Sequence, residues 1–276
     1  MDNRVPLRFF IITFSWSWLI WLPLILAGFD VIPVPEELLR SVTIPVSIIA
    51  AFGPAAGAFI SLRTLNGKGA VKRYLHSFLS LKFGWKAWVA IVLVLSSTTL
   101  AAWYIPELFG EPRLPMLLPG IYVFPLYWLM MVFLGGGQEE IGWRGYILPF
   151  LERRFGTWTG STILGLIWAV WHIPLWFIPG TSQAYMHFAG FIMLTLGYSY
   201  FFSWVMRASG GRPLASLIAH GTANALIPVF PVLIMNLNVS QIRFWLWTSL
   251  TLIAGILVLL LSRHTSGPSH KSLPLT

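Results

Sequence analysis

The chain has 276 residues, of which 57% are apolar and only 10% charged, with a net charge of +9 and a mean hydropathy of +0.75. A soluble domain carries about a quarter charged residues, so an ordinary globular fold is excluded. The absence of cysteine excludes disulfides, thiol catalysis and cysteine-ligated metal.

Apolar runs recur near the roughly 20 residues needed to cross a bilayer, without the ten-residue alternation of a barrel. They predict an all-α, polytopic membrane bundle of about eight transmembrane helices, at residues 9–28, 42–62, 86–105, 119–138, 158–178, 184–206, 213–235 and 244–262. The first follows Arg4 and Arg8 as a signal peptide would. Its apolar stretch exceeds the usual length of about 7–15 residues, and Leu26-Ala27-Gly28 is a poor cleavage site, so it reads as a retained helix. The basic connection 63–85 is lightly amphipathic through Val71, Leu75, Phe78 and Leu79, and reads as a cytoplasmic loop lying on anionic lipid. Pro54, Pro125 and Pro174 fall inside spans, where each is expected to free a carbonyl and kink the helix.

With the N-terminus in the cytoplasm, fifteen of the 18 Lys and Arg fall on the inner side and only Arg40, Arg113 and Arg243 on the outer. By the positive-inside rule the basicity is topological. The expected partners are the lipid bilayer and a peptide or protein substrate, and no nucleic acid. The expected location is a bacterial or archaeal plasma membrane, with both termini cytoplasmic.

Three short motifs stand out against this background: Glu139-Glu140 with Arg144 (EExxxR), Trp168 with His172 (WxxxH), and His220 with Asn224 (HxxxN). Ionisable groups at membrane depth are rare and face a protein interior or a wet cavity. Glu140 and Arg144 share a helix face and can pair, while Glu139 points about 100° away. The plain alternative is a charged pair reaching water at a span end. The preceding Gly135-Gly136-Gly137 run and the following Trp143 and Tyr146 weigh against it. His172, between Trp168 and Trp171 in an apolar stretch, would alone read as a packing residue. His220 and Asn224 project to one side of their span and would alone read as an interhelical clamp. His187 has no polar companion at helical spacing and reads as structural or interfacial.

Together these residues form an inventory for activating water and stabilising an oxyanion. Two His and a Glu also suit a catalytic zinc with one open position, and spacing does not separate the two. No cofactor is favoured and zinc stays open. Depth poses a further condition. At about 1.5 Å per residue, His172 lies some 20 Å from the start of the fifth span and His220 about 10 Å from the start of the seventh. Either the fifth span starts nearer Leu164, or the fourth runs past Glu140 within the membrane.

The run Glu139-Glu140-Ile-Gly-Trp-Arg144-Gly-Tyr-Ile-Leu-Pro, followed by Trp168xxxHis172 and His220xxxAsn224, resembles the CPBP (Abi) family of CAAX-processing and bacteriocin-processing intramembrane proteins. That family includes the type II CAAX prenyl proteases. The resemblance spans roughly residues 120–230 and departs in one place, since the second motif usually opens with Phe and here opens with Trp168. It implies an active-site cavity within the membrane and a catalytic core over 119–236. The N-terminal helices and basic loop then occupy 1–118, the last span 237–263 and a disordered tail 264–276. It further implies an intramembrane endopeptidase of the glutamate type rather than a zinc enzyme. In that scheme Glu140 activates water with His172, His220 and Asn224 form the oxyanion hole, and Glu139 and Arg144 support the site. A prenylated or bacteriocin-like substrate is implied in the same way. The competing class is a non-catalytic immunity or transport protein that binds its partner without cleavage. A transporter would show broken helices in two matching halves, which the sequence lacks.

Overall fold

The computed structural model describes residues 6–80 and 84–261, apart from the side chain of Lys68. Arg4, Lys82, Arg263, Lys271 and the tail 264–276 lie outside the described residues. Within them the protein is all helical, with no strand, the arrangement by which a chain in lipid satisfies its own backbone. Six stretches are long and apolar enough to cross a membrane: Leu7–Gly28, Glu36–Asn66, Trp85–Phe109, Ile121–Phe177, Phe188–Ala208 and Ile242–Leu261. The protein is thus an integral, multi-pass membrane bundle. The expected spans at 119–138 and 213–235 shrink to a ten-residue helix α6 (Phe124–Phe133) and a 14-residue helix later in the chain. At about 1.5 Å per residue neither reaches across about 30 Å of hydrocarbon.

The first helices show how such a bundle packs without a hydrophobic drive from water. Helix α1 (Leu7–Gly28) turns Leu7, Ile11 and Leu19 outward and buries Phe9, Thr13, Ser17 and Trp21 at four-residue spacing. Its inner face meets α3 (Gly53–Asn66) at Gly53 and Gly57. A Cβ on Gly57 would stand 2.9 Å from the Phe9 carbonyl oxygen, so small residues set the approach. Between α2 (Glu36–Ala50) and α3 the helix breaks at residues 51–52. Pro54 has no N–H to offer the Ala50 carbonyl four residues back, and the Ser17 hydroxyl donates to it instead, at 2.7 Å. Pro54, Pro125 and Pro174 each open a helical segment in its first turn. The expected kinks are therefore breaks, placed where a missing N–H is tolerated. The prolines within helices are Pro23 and Pro45.

Helix α4 (Lys68–His76) follows a turn at Gly67, and α5 (Trp85–Tyr104) returns along the bundle. After α6 the chain runs through the short helix α7 (Glu140–Gly142) and a π-helical turn, Trp143–Ile147, into α8 (Leu148–Trp171). That helix is broken at Gly156, whose φ of 79° and ψ of 166° are not helical. The reversal explains how the motifs reach one depth. Glu139 lies 17 residues before Gly156 and His172 lies 16 after it, so two nearly equal legs carry the chain out and back. Helices α9 (Phe188–Ala208), α10 (Pro213–Leu226) and α11 (Ile242–Leu261) complete the bundle. A Cβ on Gly221 of α10 would collide with Val132 of α6, which brings these two short helices together beside the site.

Candidate active site

Helix α6 ends before three consecutive glycines. Gly136 adopts φ +123°, a conformation closed to ordinary L-residues. A Cβ there would also stand 2.7 Å from His220 Nε2 and collide with Asn224 Nδ2. The turn is braced by Gln138, whose Oε1 accepts from Gly136 N at 2.9 Å and whose Nε2 donates to the Leu134 carbonyl at 3.0 Å. Asn224 Nδ2 donates to the Gly135 carbonyl at 2.7 Å. That bond uses one amide hydrogen and leaves the other available where Asn224 lines the cavity.

The two glutamates sit in different surroundings. Glu140 is wholly buried, and its Oε1 accepts from Arg144 Nη1 at 2.8 Å and from His220 Nδ1 at 2.9 Å. Arg144, equally buried, lies over the rings of Trp168 at 4.7 Å and Phe202 at 5.1 Å, adding cation–π attraction to the ion pair. Since a carboxylate accepts only, His220 carries its hydrogen on Nδ1 and presents Nε2 to Gly136. Glu139 instead accepts from Trp168 Nε1 through Oε2, at 2.8 Å, and lines the cavity, which Glu140 does not.

His172 sits where α8 gives way to a 3₁₀ turn. Its backbone N–H bonds to Ala169 O at 3.2 Å, three residues back, which frees the Trp168 carbonyl. The His172 ring takes that carbonyl through Nδ1 at 2.8 Å. A carbonyl only accepts, so Nδ1 bears the hydrogen and Nε2 keeps a lone pair. The Trp171 carbonyl accepts from Trp18 Nε1 at 3.0 Å.

Glu139, His172, His220 and Asn224 all line one cavity of about 470 Å³. Its remaining wall is mainly apolar, with Trp21, Ile48, Met131, Leu175, Phe191 and Trp247 among the lining residues. The expected six residues are therefore brought together, with Glu139 at the cavity and Glu140 behind it beside Arg144. His187 stands apart as the N-cap of α9, accepting from Ala189 N at 3.2 Å, with its ring 5.3 Å from Trp245. Among the described residues no three His, Asp or Glu side chains converge as a metal ligand set. Sequence reasoning missed Gln138 and Tyr74, whose hydroxyl donates to the Ile141 carbonyl. No spacing signal links positions 67 residues apart. Trp168 was visible only as a motif residue, and its N–H partner was not.

Residues 121–226 match the family model described as type II CAAX prenyl endopeptidase Rce1-like. CAAX prenyl protease 2 of Methanococcus maripaludis is 36% identical over 55 residues, a stretch covering 20% of this chain and 20% of that relative. The likeness to that relative thus spans about a fifth of its length. The matched segment contains all six residues gathered at or behind the cavity. Over that segment the chain is similar to the Rce1-like, CAAX-protease-like proteins.

Proposed function

We propose that the protein is an intramembrane endopeptidase in which Glu139, rather than Glu140, activates the attacking water. The convergence of Glu139, His172, His220 and Asn224 on one cavity supports this reading above all. Water would sit between a Glu139 oxygen and His172 Nε2. Glu139 takes its proton as the hydroxyl adds to the scissile carbonyl carbon, and returns that proton to the departing amine nitrogen. The products are a carboxylate and an amine. Asn224 donates its free amide hydrogen to the developing oxyanion. His220, anchored on Glu140 through Nδ1, turns Nε2 toward the same turn and completes the oxyanion site with Asn224. Glu140 and Arg144 hold that imidazole in place. In this reading 119–236 acts as the catalytic core, flanked by the helices of 1–118 and 237–263. The relative's name puts a prenylated peptide first among substrates to test, with bacteriocin-like peptides next.

Proteomics on cells carrying wild type or Glu139→Gln tests the activity: new peptide termini are expected only with wild type. Equal termini in both removes Glu139 as the base, and none in either leaves the non-catalytic binding reading ahead. With a substrate so identified, Asn224→Ala is expected to lower kcat by about 10²–10³, the usual effect of removing one oxyanion donor. An unchanged kcat removes Asn224 from the oxyanion hole.

Glutamate chemistry without zinc is favoured because asparagine is a good amide donor and an uncommon zinc ligand. Activity is expected to survive dialysis against chelator; loss that zinc alone restores reverses the choice.

We also place the end of the bundle that bears Arg8, Arg63, Lys72 and Arg73 in the cytoplasm. The opposite end bears Asp30, Glu36, Glu37, Glu107 and Glu111. The chain has no cysteine to remove, so Lys72→Cys should label only from inside and Asn238→Cys only from outside. The reverse pattern inverts the topology.

A further inference from the structure

Away from the catalytic cavity, α3 and α4 enclose a groove of about 750 Å³ that combines two chemistries. Its apolar part includes Ile60, Leu75 and Leu79, which are 42%, 45% and 73% exposed. Beside them stand three exposed basic side chains, Arg63, Lys72 and His76. The chain has no Asp or Glu between Glu37 and Glu107. Among the described residues none of the three basic side chains enters an ion pair. The groove lies where a membrane-crossing stretch ends, at Asn66, and the chain turns through Gly67 into α4. The end of a span is where headgroups would meet acyl chains. A free anion would satisfy only the basic part and an apolar peptide only the slot. A phospholipid with a negative headgroup satisfies both.

We propose that this groove is a binding site for one anionic phospholipid, with its phosphate on Arg63, Lys72 and His76 and an acyl chain along Ile60, Leu75 and Leu79. The lipid would also act on the segment around Glu140 through the other face of α4. There the nearly buried Tyr74 donates its hydroxyl to the Ile141 carbonyl, and its ring fits against Gly145, where a Cβ would stand 3.1 Å from Tyr74 Cζ. Burial pushes the Tyr74 phenol well above its ordinary value, which keeps it a donor. A lipid that fixes α4 therefore steadies residues 140–145.

The test uses the full chain in detergent and needs no substrate, so its outcome is independent of the protease reading. Phosphatidylglycerol and phosphatidylcholine are offered in equal amounts, and retention is read by native mass spectrometry. Phosphatidylglycerol should be retained at least about tenfold more, since each basic side chain at an anionic surface contributes about fivefold. The preference should vanish in Arg63→Glu/Lys72→Glu, or in Arg63→Gln/Lys72→Gln if charge reversal disturbs folding. Phosphatidylglycerol should also raise the wild-type Tm, and Tyr74→Phe should keep the lipid preference while losing most of that rise. Equal retention of the two lipids, or a preference unchanged in the charge variants, overturns the site. A Tm rise reproduced by inorganic phosphate makes it a free-anion site and overturns the lipid. A full rise in Tyr74→Phe overturns the coupling.

Discussion

Glu139→Gln is expected to reduce cleavage by about 10²–10⁴ or more, the usual contribution of a general base, while leaving the thermal stability near wild type. The amide keeps an oxygen to accept from Trp168 Nε1, as the carboxylate does, and loses the proton-accepting oxygen at the cavity. Glu140→Gln should behave in the opposite way. Its oxygen can still accept from Arg144 and His220, but Arg144 is left as a buried cation without its counter-charge. Stability should fall clearly, and activity should fall less than in Glu139→Gln. The pair is read by cleavage of the identified peptide and by unfolding in detergent. A folded, inactive Glu140→Gln beside an active Glu139→Gln would return the base to Glu140.

Arg144→Met should be the most destabilising single substitution in the site, at about 3–5 kcal/mol, because removing one partner of a buried pair strands the other charge. Both Arg144 and Glu140 are without solvent exposure, so screening does not soften the loss. A folded domain has only about 5–15 kcal/mol to lose, and poor accumulation in membranes is expected. Combining Glu140→Gln with Arg144→Met removes both charges and should recover a large part of the deficit, since apolar replacement of a whole buried pair is often neutral. Equilibrium unfolding of the four proteins in mixed micelles gives the coupling directly. A double variant as unstable as the two singles summed would mean that Arg144 acts through its packing on Trp168 and Phe202 rather than through its charge.

Composition and the length of the apolar runs determined that this is an all-helical, multi-pass membrane protein, because only helices and closed barrels satisfy their backbone in lipid and the alternation of a barrel is missing. Local spacing determined more: residues four apart on a helix share a face, which is why His220 and Asn224 both reach Gly136, and Glu140 met Arg144 four residues on although the chain there passes into a π turn. The scarcity of charge marked the six site residues as costly at membrane depth, and hence as candidates. What the sequence could not determine is where the chain reverses. A break at Gly156 makes two legs of what reads as continuous helix, and no periodicity distinguishes a transmembrane run from a hairpin that returns to the same depth. Which glutamate faces the cavity was likewise decided by tertiary structure. The 3₁₀ turn at Gly137–Glu139, the three-residue α7 and the π turn after it abandon the regular 100° rotation on which facing arguments depend. The indole N–H that holds Glu139 arrives from a helix 29 residues away. Such a partner is set by how helices pack, and local pattern does not encode it.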